Sequence, residues 1–590
     1  MREIETPVLI VGGGGAGLTA SMLLSTMGVE TLLVSSLPTT SILPKAHVLN
    51  QRTMEIFRDV GVAAPIYERS TPPEHMRYSG WYAGLAGRDE VFGREIGRIE
   101  SWGAGGLDAD WLAASPCLQA NLPQIRLEPI LKARAEELAP GRVRFNHEVV
   151  AVEQDERAIT AVVRDKDRNA DYRVRARYLL ACDGGRTIGR ALGVELEGQR
   201  GLMNEVSVHM TADLSPWAID PEVLIRWLWL PDVGIQAVLV PMGPDRWGPD
   251  SEEWVFHLNY PSDDPRGIDD TQVEADMRRV LGIGDLGITI HKISRWTLEG
   301  VLAPRFQIGR AFLVGDAAHR HPPTGGLGLN SAVHDAQNLC WKIAAVLRGQ
   351  ASERLLATYE AERRPVDGRN VERSLESAFN HMAIRNALGL DPAASPDANL
   401  AHVRRFWSGR HEDVAYRREV LRTIATQSME FREHNVEFGQ TYDSTAVLAD
   451  GSPEPSAVDS VRVYEPGTRP GAPLPHAWLD DADGRRLPLT DLVASGRFLL
   501  IAGEDGAAWC LAARGLAERD DMPIDAVRIG HLDGEYRDPR CMWLRHRGIG
   551  RDGAVLVRPD RFVAWRSASA VADPAAVLGD ALRRVMGAAR

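Results

Sequence analysis

A carboxylate beside bare backbone amides can hold a sugar alcohol and a phosphate together, and the stretch Gly315-Asp316-Ala317-Ala318-His319-Arg320-His321-Pro322-Pro323-Thr324-Gly325-Gly326-Leu327-Gly328-Leu329-Asn330 supplies both. Asp316 at a strand end can accept ribityl or ribose hydroxyls. Amides at a helix start carry the partial positive charge that meets a pyrophosphate. The elements that must position them are legible on either side. Ala311 to Val314 is an apolar run that reads as a buried strand. From Asn330 to Leu347, apolar Leu339, Ile343, Val346 and Leu347 recur at helical spacing.

Two further turns share this chemistry. Val8 to Val11 is a short apolar run that leads directly into Gly12-Gly13-Gly14-Gly15-Ala16-Gly17, a GxGxxG match through Gly12, Gly14 and Gly17. Gly12 permits the tight turn, Gly14 lets backbone approach a pyrophosphate, and Gly17 allows close packing of helix on strand. A helix from about Ala16 to Met27 and a strand from Glu30 to Val34 complete the unit. The acid that usually meets the adenosine ribose some 20 residues on is replaced by Ser35 and Ser36, so hydrogen bonding there is neutral or supplied elsewhere. The third turn, Asp183-Gly184-Gly185-Arg186-Thr187, follows a buried strand from Tyr178 to Cys182. Alone it reads as an Asp-Gly turn, but it closes a strand-rich stretch (Val143 to Val152, Ala158 to Arg164, Tyr172 to Arg177).

The order GxGxxG, DG, GD resembles the flavoprotein aromatic hydroxylases, the single-component FAD monooxygenases. Within them the chain is most similar to phenol hydroxylases of the 2,4-dichlorophenol 6-monooxygenase type. That likeness rests on Pro44-Lys45-Ala46-His47-Val48-Leu49-Asn50-Gln51-Arg52-Thr53-Met54-Glu55, on Leu122-Pro123-Gln124 with Leu127-Glu128-Pro129, on His319 to Thr324, and on Tyr359-Glu360-Ala361-Glu362-Arg363-Arg364-Pro365. It covers roughly the first 400 residues. The resemblance implies FAD, with NADPH or NADH as co-substrate, and insertion of one oxygen atom ortho to a phenolic hydroxyl through a flavin C(4a)-hydroperoxide. It implies a cofactor site at Gly12, Gly14, Gly15, Ala16, Gly17, Ser35, Lys45, Arg52, Gln124, Asp183, Gly184, Asp316, Pro323, Gly326, Gly328, Leu329 and Asn330. Lys45 stands where an Arg is common, and a lysine cannot make the same planar fork. Thr187 replaces the usual Ser.

Making a phenol nucleophilic requires a base that works near pH 7, which suits histidine. His47, counted back from Arg52-Thr53, occupies a position where a related phenol hydroxylase carries an Asp beside the substrate hydroxyl. It either supplies that base or packs before a helix from Thr53 to Val60. His321 is the rival, with Pro322 and Pro323 bordering the flavin face where oxygen reacts. His319, His334 and His291 read as structural. Over Val206 to Trp296 a sheet should roof the substrate. Ile225-Arg226-Trp227-Leu228-Trp229-Leu230-Pro231 alternates so that Ile225, Trp227 and Trp229 share one face, which makes the two indoles substrate candidates. Trp-x-Trp is similar to flavin-dependent halogenases, but one residue is missing from that spacing and no lysine lies between Lys166 and Lys292.

The fold class implied is α/β (α+β): a Rossmann-like FAD-binding domain (1–75, 119–195, 301–390 with long helices), an inserted mixed-sheet substrate domain (76–118, 196–300), a helical linker (391–460) and a C-terminal thioredoxin-like domain (461–590). Helices are expected from Ser352 to about Ala387, from Asn399 to Glu430 and from Ala507 to Ala517, with strands at Phe498 to Gly503 and Ala554 to Asp560. A loop-rich passage from Asp450 to Pro475 marks a boundary. At 590 residues, several domains are the natural division. A net charge of -13 argues against nucleic acid or an anionic membrane as partner. The N-terminus lacks a signal peptide's pattern, and five scattered cysteines show neither CxxC nor metal spacing, so a cytoplasmic protein without a metal is expected. The expected partners are a small aromatic substrate (a chlorophenol, or a phenolic or pyridinol natural-product precursor), dioxygen, and further copies of the chain in a homo-oligomer. A flavin oxidase or reductase and a non-catalytic FAD-binding protein are the competing readings.

Overall fold

The computed structural model describes residues 2–231, 235–262, 264, 269–454 and 459–587. Its first sheet runs in the order Gln307–Ile308, Ala311–Leu313, Ala170–Ala181, Arg2–Val11, Thr31–Val34, Val143–Arg144, with Ile159–Asp165 branching from the interior strand Ala170–Ala181 and His147–Gln154 paired in turn on Ile159–Asp165. Val8, Leu9 and Ile10 are fully buried in it, as a strand covered on both faces requires. This strand begins at Arg2, six residues before the apolar run, because Ala170–Ala181 offers it a parallel partner from Arg2↔Tyr172 to Val11↔Ala181. Backbone pairing extends it where its side chains meet solvent.

The helices Gly15–Thr26 and Leu327–Leu347 both start at the mouth of this sheet. The second begins three residues ahead of the expected Asn330, since Gly326 takes a left-handed φ of 67° and turns the chain directly into it. The helix expected from Thr53 starts instead at Gln51, capped by the Asn50 side chain on the Thr53 amide. The helix expected over Asn399 to Glu430 is broken into Pro396–Arg404, Val414–Thr426 and Ser428–Phe431. Asp413 forces the break by accepting from Arg405, Ser408 and Arg410, which holds the intervening loop as a turn.

A second, eight-stranded sheet forms the roof, in the order His319–Arg320, Thr289–Leu302, Glu197–Thr211, Glu253–Tyr260, Ile235–Gly243, Val223–Leu230, Tyr78–Ala83, Glu95–Glu100. One face packs Val206, Val208, Phe256, Leu258 and Leu239 against the helix Asp270–Leu281. The other presents Ile225, Trp227, Trp229, Val238 and Val255 together, so the alternation read in the sequence holds.

The C-terminal segment builds a seven-stranded sheet in which Phe498–Ala502 is parallel to Ile524–Gly530 and antiparallel to Ala554–Val557, with the helix Ala507–Asp520 in the crossover. This is the thioredoxin-like arrangement. Its cysteines, Cys510 and Cys541, are free. In the loop-rich passage before it, residues 455–458 lie outside the described residues.

The C-terminal unit is fastened to the first sheet's helices by buried charge. Glu362 accepts from Arg558 at 2.5 and 2.8 Å and from Lys342 at 2.7 Å, and all three side chains are fully buried. Asp560 neutralises the remaining positive charge on Arg558.

Candidate active site

The three turns converge, and the glycines show how closely. A Cβ on Gly12 would overlap the Cys182 carbonyl oxygen, one on Gly17 would overlap the Gly12 carbonyl, and one on Gly15 would lie 2.5 Å from Leu329. At Gly315 it would meet Ala332 at 2.8 Å and Ala16 at 3.5 Å, while Gly185 faces the Asp316 carbonyl at 3.5 Å. Gly12 also has a φ of 118°, so two independent constraints demand glycine there. Gly14 differs, since its Cβ would meet only a Glu128 oxygen at 3.4 Å.

This cradle fits FAD. Both helix N-termini, at Gly14 and Gly326, lack a side-chain cap, which leaves amide donors for a pyrophosphate. The Asp316 side chain is exposed and makes no hydrogen bond among the described residues, as a ribityl acceptor should before its ligand arrives. Ser35 is buried at the end of Thr31–Val34, with its amide on the Arg144 carbonyl. Lys45 is exposed, with a φ of 30°. Gln124 donates through its amide to the Pro44 and Ala46 carbonyls and through its side chain to Glu128, which fixes the segment leading to His47.

Three of the expected cofactor residues spend their side chains within the protein. The Arg52 guanidinium is one. Buried, it donates to Glu55 and to the Asp560 carbonyl and lies over the Phe562 ring, because a buried cation must be paired and the C-terminal unit provides the partners. The Asn330 side chain is likewise committed, donating to the Val48 and Gly326 carbonyls and accepting from the Asn50 amide. It ties the glycine turn to the strand beside His47. Asp183 spends its carboxylate on its own turn, accepting from the Gly185, Thr187 and Ile188 amides.

His47 is half-buried, and its Nδ1 lies 2.5 Å from Asn121 Oδ1. Asn121 Nδ2 donates to Thr71 Oγ1, so the amide must present its oxygen to the ring. His47 therefore carries its proton on Nδ1 and leaves Nε2 as an acceptor. Burial pushes its pKa down to about 4, and the nearby His257 disfavours charge further. Gly326 lies beside Val48, which brings the glycine turn next to His47.

His321 is less available. Its Nδ1 is 3.0 Å from Ser374 Oγ, its ring parallels His319 at 6.0 Å, and burial lowers its pKa to about 4. Pro322 is buried and Pro323 exposed in the same turn, which Thr324 anchors through the Ser374 carbonyl and Glu430 through the Gly325 amide. Gly328 faces the His321 ring. Of the substrate candidates, Trp227 stacks on His381 at 3.9 Å and parallels Trp81 at 6.5 Å, so its ring serves packing. The indole N–H groups of Trp227 and Trp229 have no partner among the described residues. His319, His334 and His291 all bond within the protein, to Asp335, Thr53 and Thr211 respectively.

Sequence reasoning missed Glu128 as a clamp. Its carboxylate accepts from the Ser41 amide at 2.6 Å and from Gln124, and the Gln124–Glu128 spacing on one helix was the available signal. It also missed the polar part of the roof, where Trp227, Val238, His257 and Ser207 stand in one row across four strands. Nothing local in the sequence marks a row made of distant strands.

Comparison with known proteins agrees with this geometry. Residues 5–374 match the family described as FAD binding domain, and residues 467–589 match that described as aromatic-ring hydroxylase, C-terminal. The chain is 35% identical to 2,4-dichlorophenol 6-monooxygenase of Delftia acidovorans over 99% of its own length and 98% of that protein's. It is 32% identical to tetracenomycin A2 monooxygenase-dioxygenase of Streptomyces glaucescens, over 99% and 98%. Among solved structures, the flavin-dependent monooxygenase PieE in complex with FAD and substrate superposes with a TM-score of 0.92 at 37% identity, covering both chains completely.

Proposed function

The chain belongs to the FAD-dependent aromatic-ring hydroxylases, and from that premise we propose that it inserts one oxygen atom into a phenolic or related ring beside an existing hydroxyl, using NADPH or NADH. FAD, when bound, supplies the two-electron reduction and oxygen activation that no side chain can perform. The protein supplies position. The uncapped helix ends at Gly14 and Gly326 and the free Asp316 carboxylate hold the cofactor, with Pro322 and Pro323 at its reactive side. His47 accepts a hydrogen bond from the substrate hydroxyl through Nε2, and the roof closes over the ring to exclude water. The observation that carries this reading is the tautomer of His47, set by Asn121 and Thr71, beside the glycine turn.

A larger, fused-ring substrate is the second reading. It is favoured by the likeness to tetracenomycin A2 monooxygenase-dioxygenase. Screening simple phenols, pyridinols and fused-ring phenols for stimulated NAD(P)H oxidation, with mass detection of a product heavier by one oxygen, tests both. Peroxide released without an oxygenated product would overturn the hydroxylase reading in favour of an oxidase. A homo-oligomer is part of this proposal and is checked by light scattering.

A further inference from the structure

On the roof, Glu205 and His257 form a pair that the hydrogen bond to His47 does not use. His257 Nδ1 lies 2.9 Å from Glu205 Oε1 and 2.9 Å from Ser207 Oγ, with Ser207 directly opposite it on the neighbouring strand. Glu205 is almost wholly buried, its side chain only 6% exposed. It has no other charged partner among the described residues. The next carboxylate, Glu253, is already neutralised by Arg126 and His209, both at 2.7 Å. His257 thus has a lone buried carboxylate at Nδ1 and lies close enough to His47 to help lower its pKa, and its Nε2 makes no hydrogen bond among the described residues. The same face carries Gln236 Nε2, Asn259 Oδ1 and the Trp227 and Trp229 N–H groups, all buried and without partners. Buried polar atoms are normally paired, so a set of them on one face marks where a polar ligand sits.

We propose that the hydroxyl proton of the substrate is taken by His257 acting with Glu205: the hydroxyl is held by His47 Nε2 on binding and turns about its C–O bond to His257 Nε2 as it ionises. This rests on the phenolic reading above. The O–H bond breaks with its electron pair left on the substrate oxygen, the proton bonds to His257 Nε2, and Nδ1–H donates to the Glu205 carboxylate. A carboxylate behind an imidazole stabilises the imidazolium that forms, which is the arrangement that makes histidine an effective base. His47 has only the neutral amide of Asn121 behind it, and burial leaves it a far weaker base than a phenolate. The charged or titratable groups around His257 are Glu205 beside it, His47 within electrostatic reach, and Glu253 with His209 and Arg126 one row on; Val238 borders it on the neighbouring strand.

The test uses the full-length, FAD-loaded enzyme and 4-nitrophenol, whose ionised form is read by difference absorbance as pH is varied. Binding to the wild-type protein should lower the pH at which the probe ionises. E205Q, which preserves shape, and H257Q should lower the probe's ionisation constant at least tenfold, back toward that of free 4-nitrophenol. H47Q should weaken binding while keeping the lowered ionisation pH. Flavin content and melting temperature verify that each variant is folded, and E205Q decides the matter if H257Q is not. If E205Q and H257Q ionise the probe as wild type does while phenols are still hydroxylated, this inference fails and the phenolic reading stands. If the wild-type enzyme neither binds nor hydroxylates any phenol, both fail.

Discussion

Replacing His319 by Gln tests the electrostatics beneath the Asp316 turn. His319 is fully buried, with Nε2 at 2.9 Å from Asp335 and 3.7 Å from Asp367, and Arg363 bridges the same two carboxylates at 2.7 and 2.8 Å. Asp335 also accepts the Gly315 amide, so the network grips the turn that presents Asp316. Burial alone would depress the ring, but the two carboxylates prevail and raise its pKa from 6.5 to about 9. The difference corresponds to about 3 kcal/mol of stability. Because the folded value lies above the unfolded one, that contribution is complete below pH 6.5 and is lost as pH rises through about 9. Lys342, lowered from 10.5 to about 8, acts in the opposite sense, its burial cost being relieved above pH 8. Comparing wild type with H319Q at each pH cancels that term, whereas Asp367, which burial and Asp335 push up to about 8, stays coupled to the ring and is read together with it. Denaturant unfolding followed by flavin release should show wild type losing about 3 kcal/mol more than H319Q between pH 6.5 and 9.5. Parallel profiles for the two proteins would refute a charged His319.

Gly17→Ala should abolish flavin retention, because the new Cβ would overlap the Gly12 carbonyl and push helix from strand; flavin content after gel filtration reads it. Glu362→Ala strands Arg558 and Lys342 without an anion and should cost about 3–5 kcal/mol, since unpaired buried charge is that expensive. Limited proteolysis should then cut between residues 459 and 475 faster than in the wild-type protein. His47→Gln should raise the dissociation constant for a phenol about tenfold, the worth of one hydrogen bond, with flavin content unchanged; equal affinity in a flavin-difference titration would remove His47 from the substrate.

Local patterns carried much of this protein. The apolar runs before Gly12, Asp183 and Asp316 are strands because both their faces are covered, and the glycines that follow are needed where backbone approaches backbone at Cys182 and Gly12. Such demands act within a few residues, so they can be read in order along the chain. The alternation that put Trp227 and Trp229 on one face is equally local. Tertiary structure decided what each side chain is left free to do. Arg52 was given to Glu55 and Asp560, 508 residues away, because a buried charge takes whichever partner folding brings. Asn330 became a brace, Asp183 a cap, and Trp227 a stacked core ring, whereas Glu205 and His257, unremarkable in sequence, were paired by strand register. Residue type sets what a group can do, but its pKa, tautomer and free atoms depend on neighbours from distant parts of the chain, which only the packed fold brings together.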